Sequence, residues 1–112
     1  MGPLHGLRVI ELAGIGPGPF CAMLLADLGA DVVRVDRTEA SELGVPMDPR
    51  YDVNARNRRS VALDLKSPAG HAIAMDLIAT ADIVVENFST GVMARFGLDY
   101  ERVKQRKPDI IY

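Results

Sequence analysis

A strand, a glycine-rich loop, a helix and a second strand follow one another within the first 36 residues of the chain. Residues 7–12 are short, branched and apolar, as in a buried strand, and a loop rich in glycine and proline follows at 13–19. A helix is expected over residues 19–28, because Pro19 suits the first helical position and Gly29 suits the left-handed residue after the last turn. Residues 31–36 are again branched and apolar. This order predicts a parallel βαβ unit.

The rest of the chain continues the alternation of strands and helices. Strands are predicted at 61–65 and 82–86, and the opening of a fifth strand at 109–112. Helices are predicted from Pro68 to about residue 79, with Ser67 as the cap, at 91–96, and at 100–106. Residues 37–57 lack periodicity and are expected to form a long surface excursion. The pattern predicts an α/β fold with a mainly parallel sheet and flanking helices, with residues 1–112 as one domain.

Composition disfavours several classes of function. The net charge is −2, so broad binding to nucleic acid, which needs many basic side chains, is not expected. No apolar run approaches the roughly 20 residues that cross a bilayer, so we expect no membrane association. The single cysteine cannot form an internal disulfide, and the N-terminus does not resemble a signal peptide. Together these features favour a reducing cytoplasm.

Ligands of parallel α/β sheets bind beyond the carboxyl ends of the strands. The loop at 14–18 resembles a dinucleotide fingerprint, because glycine lets backbone approach a phosphate at the head of a helix. Pro17 and Pro19 remove two N–H donors, which disfavours a nicotinamide cofactor and leaves a tight turn as the alternative. Asp36 stands where such a protein holds a ribose. Arg37 suits a phosphate, with a solvated loop arginine as the alternative.

Other chemistry-bearing side chains give weaker signals. The three arginines within residues 56–59, with Lys66 nearby, predict either a small phosphate-binding patch or a solvated face. Cys21 lies in the first turn of a helix but has apolar neighbours, so we expect a buried structural role. His5 and His71 have no carboxylate or cysteine partner at local spacing, so no metal site is expected.

Several ordered segments resemble the family III CoA-transferases, the superfamily that includes the alpha-methylacyl-CoA racemases. They are GLRVIEL at 6–12, GPGPFCAM at 16–23, LADLGADVVRVDR at 25–37, NRRS at 57–60, LDLK at 63–66, ENF at 86–88 and GVMARFGL at 91–98. The order and spacing match, and the resemblance covers essentially the whole chain. One departure is Thr90, where many members have proline before the glycine, and it predicts a less rigid loop.

The resemblance implies that this chain is the N-terminal part of a large Rossmann-like domain that binds coenzyme A as part of an acyl-CoA substrate. It also implies an interlocked homodimer or association with a C-terminal part. The family's catalytic aspartate, and in racemases a histidine, lies downstream of the segment that Tyr112 ends, so no catalytic residue is expected here. The positions that match the family's CoA contacts are Ile15, Gly16, Arg37, Leu63, Asp64, Leu65, Lys66, Asn87, Phe88 and Arg95.

The resemblance leaves two reactions open. A racemase removes the alpha proton of a 2-methylacyl-CoA and returns it from the opposite face through an enolate. A transferase instead uses an aspartate carboxylate to attack the thioester. The first segments favour a racemase, whereas residues 86–88 are more typical of transferases. A non-catalytic CoA-binding module is a third possibility. The apolar strand predicted at 110–112 has no helix to cover it, so we also expect the chain to self-associate.

Overall fold

A computed structural model describes residues 1–40 and 44–112, and these form a four-stranded parallel sheet. The strand order is β3-β2-β1-β4, with β1 at Arg8–Leu12, β2 at Asp31–Asp36, β3 at Arg58–Ala62 and β4 at Ile83–Val85. The predicted α/β fold with a parallel sheet is confirmed. The chain adds β2 and β3 on one side of β1 and β4 on the other. The loops after β1 and β4 therefore flank the point where the strand order reverses, which is where ligands of such sheets bind.

Helices flank the sheet: α1 at Pro17–Asp27, α2 at Pro68–Ala79, α3 at Val92–Arg95 and α4 at Tyr100–Arg106. The predicted cap of α2 is present, because the Ser67 hydroxyl oxygen accepts from the Gly70 N–H at 3.0 Å. Gly29 has the expected left-handed φ of 102° after α1. The predicted fifth strand opens at Ile111, which forms a parallel bridge to Ile83.

Two elements begin earlier in the chain than predicted. Helix α1 starts at Pro17, because Gly16 occupies the N-cap with a φ of 83° and Pro17 takes the first helical position. Strand β3 was expected at 61–65, but it starts at Arg58 and ends at Ala62. Its first residue is charged, and the side chain is buried against a distant carboxylate, so no local pattern marks the start. Residues 63–66 consequently form a loop beyond the carboxyl end of β3.

The excursion predicted at 37–57 contains two 3-10 turns, at Pro49–Tyr51 and Val53–Ala55. Its residues 41–43 lie outside the described part of the chain. Asp48 and Asp52 cap the turns by accepting from backbone N–H groups two residues later, at 3.1 and 3.2 Å. The excursion therefore has local structure that supports it beside the sheet.

Apolar side chains pack on both faces of the sheet. Ile10 and Leu12 contact Ile78 and other side chains of α2 and α4 on one face, and Val9 contacts Ala22 of α1 on the other. The buried role expected for Cys21 is wrong, because the side chain is exposed: α1 turns Ala22, Met23 and Ala26 toward the sheet. No helix within the described residues is long and apolar enough to span a membrane.

Candidate functional site

Adjoining grooves follow the edge of the sheet at which the strands end. The first, of about 700 Å³, lies between the loop after β1, the end of β2 and residues 87–89. The second, of about 450 Å³, shares the wall formed by residues 36–40 and Phe88 and extends to residues 63–66. The third, of about 630 Å³, lies between residues 65–68 and α3. The shared walls join these spaces into one groove, which we call the edge groove. It occupies the position expected of a ligand site in this fold.

Most of the predicted contact positions line the edge groove. Gly16 is the exception, since it forms the N-cap of α1 and lines none of these spaces. His71 also lines the third space, and no sequence pattern indicated this, because its neighbours Lys66 and Arg95 are distant in sequence from each other. The positions that line the groove are Ile15, Arg37, Leu63, Asp64, Leu65, Lys66, Asn87, Phe88 and Arg95.

Basic side chains without an ion-pair partner lie along this groove, whose lining also includes the carboxylates of Asp36, Glu39, Asp52 and Asp64. Most of the 13 lysine and arginine side chains form ion pairs with carboxylates. Among residues 1–40 and 44–112, the basic side chains that form no such pair are Arg37, Lys66 and Arg95. All three are exposed and line the edge groove. Basic groups that are not neutralised by neighbouring carboxylates suit a ligand with several anionic groups.

The glycine-rich loop after β1 packs closely against Asn87. The Asn87 amide Nδ2 donates to the Ile15 carbonyl at 2.8 Å. A Cβ placed on Gly14 would lie 2.8 Å from Asn87 Oδ1, and one on Gly18 would lie 2.5 Å from it, closer than side-chain atoms approach. The lack of a side chain at Gly14 in the loop and at Gly18 in the first turn of α1 therefore lets this region approach the loop after β4 closely at the switch point.

The Asp36 carboxylate, which stands where such a fold holds a ribose, is engaged through one of its oxygens. Its Oδ2 accepts from Arg34 Nε at 2.9 Å, and Arg34 also reaches Asp52 of the excursion at 3.8 Å. Arg34 and Asp36 both line the groove, and Oδ2 of Asp36 is the oxygen that the pairing engages.

The arginine cluster predicted at 56–59 is dispersed by the fold. Arg56 pairs with Asp27 at 2.6 Å and Arg59 pairs with Asp31 at 2.7 Å, so each is neutralised at the surface. The Arg56 guanidinium holds the pKa of Asp27 below its ordinary value. None of these arginines lines the edge groove, and the predicted phosphate patch retains only Lys66.

A buried ion pair lies beneath the excursion, and the sequence did not predict it. Glu11 of β1 and Arg58 of β3 have side chains that are 0% and 2% exposed, and Arg58 Nη1 donates to Glu11 Oε2. Arg58 Nη2 also donates to the Asn54 carbonyl. Burial raises the pKa of Glu11, although the charge of Arg58 opposes this effect. The one available signal was a glutamate inside an otherwise apolar strand.

Within residues 1–40 and 44–112, no three histidine, cysteine, aspartate or glutamate side chains are grouped so that they could hold a metal ion. The described edge groove offers basic, carboxylate and amide groups together with apolar walls. Such a lining suits an organic anion bound through its phosphates.

Curated relatives match nearly the whole chain but extend well beyond it. An alpha-methylacyl-CoA racemase of Homo sapiens is 45% identical over 97% of this chain and 27% of its own length. A succinate–glutarate CoA-transferase of Agrobacterium fabrum is 40% identical over 98% of this chain and 31% of its own length. The chain therefore spans about a third or less of the length of these relatives.

A solved structure agrees with these relatives in fold. A CaiB/BaiF family protein from Brucella suis superimposes with a TM-score of 0.86 at 38% identity, over 99% of this chain and 32% of that protein. The family model described as CoA-transferase family III matches residues 4–112. The match in sequence and the match in fold cover the same region, including the edge groove, and so this chain belongs to CoA-transferase family III.

Proposed function

We propose that this chain is the coenzyme A-binding segment of an enzyme that acts on acyl-CoA thioesters, most like an alpha-methylacyl-CoA racemase. The observation that supports the proposal best is the concentration of Arg37, Lys66 and Arg95 along the edge groove, without a described carboxylate partner. Coenzyme A carries a 3′-phosphate and a diphosphate. These anionic groups can form charge-assisted hydrogen bonds with guanidinium and ammonium groups spread along one groove.

The pairing of Asp36 with Arg34 favours coenzyme A over a nicotinamide dinucleotide. A dinucleotide-binding protein of this fold uses a free carboxylate at the end of its second strand to accept from the ribose hydroxyls. Here one oxygen of that carboxylate already accepts from Arg34 at 2.9 Å. Pro17 and Pro19 also remove backbone donors from the loop that would hold the dinucleotide's diphosphate.

Calorimetric titration of the chain with coenzyme A tests the binding proposal. We expect Arg37→Ala to weaken binding by about 1.5–3 kcal/mol, the range for hydrogen bonds to charged groups. Arg50→Ala is the matched control, since Arg50 is exposed, lies outside the described groove lining and pairs with Asp48 at 3.2 Å. An unchanged dissociation constant for Arg37→Ala, or an equal loss for Arg50→Ala, would count against the role of Arg37.

The racemase proposal is supported by the 45% identity to the human racemase, but the 40% identity to the succinate–glutarate CoA-transferase keeps transfer as the alternative. The two reactions differ in what is exchanged. Racemisation exchanges the alpha proton with solvent, whereas transfer passes coenzyme A between carboxylic acids through a carboxylate that attacks the thioester. We propose that the groups that perform either step lie downstream of residue 112, as the family resemblance implies.

Isotope exchange distinguishes the reactions in the protein that contains this segment and the family's remaining length. A racemase incorporates solvent deuterium at the alpha carbon of a 2-methylacyl-CoA without an acceptor acid. A transferase moves coenzyme A to an added dicarboxylate instead. Binding of coenzyme A with neither reaction would indicate a non-catalytic module. We expect the 112-residue chain alone to catalyse no exchange. A base must reach the alpha proton, and the family resemblance implies that this base lies downstream of residue 112.

The proposal extends to the chain's surroundings. We propose that residues 1–112 act as one CoA-binding unit that associates in a homodimer or with the C-terminal part implied by the family. We also propose a reducing cytoplasm as its location, which suits a chain with one cysteine.

A further inference from the structure

We propose that His71 is a positioning residue that holds Arg95 in place at the edge groove, a role that rests on the proposed binding of coenzyme A. His71 lies in the first half of α2, and its Nε2 is 3.2 Å from the Gly97 carbonyl oxygen. A carbonyl oxygen only accepts hydrogen bonds, so Nε2 is the donor. His71 also lines the third space of the groove, together with Lys66 and Arg95.

The turn after α3 connects this hydrogen bond to Arg95. Gly97 follows Arg95 by two residues and has a left-handed φ of 71°, and its N–H donates to the Ala94 carbonyl at 3.0 Å. A Cβ on Gly97 would lie 3.1 Å from His71 Nε2, so the glycine permits the close approach of the ring. The hydrogen bond therefore joins α2 to the turn that ends α3.

Helix α3 needs such external support. It has four residues, and a helix of that length is not stable by itself in water. Met93 of the helix and Leu98, which follows it, are buried in the core, whereas Arg95 is exposed. The contact with His71 restrains the groove side of the turn. Because Lys66 immediately precedes the cap of α2, this contact also restrains the separation between Lys66 and Arg95 across the groove.

A double-mutant cycle on the 112-residue chain, with coenzyme A as the titrant, tests this role. We expect His71→Ala to weaken binding by about three- to tenfold, which corresponds to one lost hydrogen bond. His71→Gln keeps a side-chain N–H donor and should restore most of the affinity. In the Arg95→Ala background, His71→Ala should have no further effect. His5→Ala is the matched control and should bind like the unmodified chain.

An independent measurement follows Arg95 itself, without added ligand. The ¹⁵N relaxation of the Arg95 Nε–H should report greater mobility in His71→Ala than in the unmodified chain or in His71→Gln. Equal mobility in all three, or fully additive losses in the cycle, overturns the positioning role. If the unmodified chain does not bind coenzyme A, the proposed function fails, and the relaxation data alone then support or overturn the role of His71.

Discussion

At the scale of single residues, the buried pair of Glu11 and Arg58 requires the most compensation from the surrounding fold. Each charge is removed from water, which costs several kcal/mol per ion unless the partner and further hydrogen bonds compensate. Arg58 also donates to the Asn54 carbonyl, whereas Glu11 Oε1 and Arg58 Nε have no hydrogen-bond partner among the described residues. The pair connects β1, β3 and the excursion. The contribution of this ion pair to the stability of the fold therefore depends on both partners being present.

Removal of one partner should lower the free energy of unfolding much more than removal of both. We expect Arg58→Met to lower the free energy of unfolding by about 3–5 kcal/mol, because Glu11 is left as a buried charge without a partner. The double variant Glu11→Leu with Arg58→Met should recover most of this loss. Urea denaturation of the three proteins measures the difference. A double variant no more stable than Arg58→Met would show that the pair is not coupled as its geometry indicates.

The pH dependence of stability provides a second measure of the same pair. The pKa of Glu11 is raised from 4.5 in the folded chain, chiefly by burial, so the folded state holds this proton more tightly than the unfolded state. Its contribution to stability is therefore largest below pH 4.5 and is lost as the pH rises through the folded-state pKa. Glu11→Gln should flatten this part of the profile. Asp27 and Asp109 act in the opposite direction, because their pKa values are lowered from 3.8 in the folded chain. Their contribution to stability is present above about pH 3.8 and is lost as the pH decreases below it.

At the scale of elements, the join between the loop after β1 and the loop after β4 decides the shape of the site. Gly18→Ala places a Cβ 2.5 Å from Asn87 Oδ1, so we expect a lower melting temperature and weaker binding of coenzyme A. Adding Asn87→Ala removes the obstructing amide and should restore part of the stability. It should not restore the affinity, since the hydrogen bond to the Ile15 carbonyl is also lost. Differential scanning calorimetry measures the melting temperature, and calorimetric titration measures the affinity for coenzyme A. An unchanged melting temperature in Gly18→Ala would contradict the close packing of Gly18 against Asn87.

The elements also show how far sequence reasoning extends. The alternation of strands and helices, the cap at Ser67 and the left-handed Gly29 were predictable, because each depends on residues close together in the chain. The start of β3 was not, because Arg58 is buried through a partner 47 positions away. The glycine loop was recognised, but Asn87, which lies against Gly14 and Gly18, belongs to a different strand-end loop. Local patterns predict elements, whereas contacts between distant strands determine their limits.

At the scale of the whole molecule, a small net charge conceals an uneven distribution of charge. The value of −2 excludes a broad positive field, yet pairing on the rest of the described surface leaves the groove cations as the free ones. The family contact positions came from resemblance, and the fold adds the reason that Arg37, Lys66 and Arg95 can act together. Such a distribution suits a small polyanion rather than a long nucleic acid.

The outer face of α1 adds a second reason, beside the uncovered strand predicted at 110–112, to expect that the chain self-associates. Phe20, Leu24 and Leu28 follow at intervals of four residues, so they share one side of the helix, and each is about half exposed. Apolar surface of this extent favours contact with another chain. Sedimentation velocity at micromolar concentration should therefore detect species larger than the monomer, and Leu24→Glu should reduce them. Ile73→Glu is the matched control, because Ile73 is 47% exposed on α2 and Leu24 is 45% exposed on α1. A single monomeric species with no binding of a hydrophobic dye, or equal effects of the two substitutions, would show that this face does not drive association.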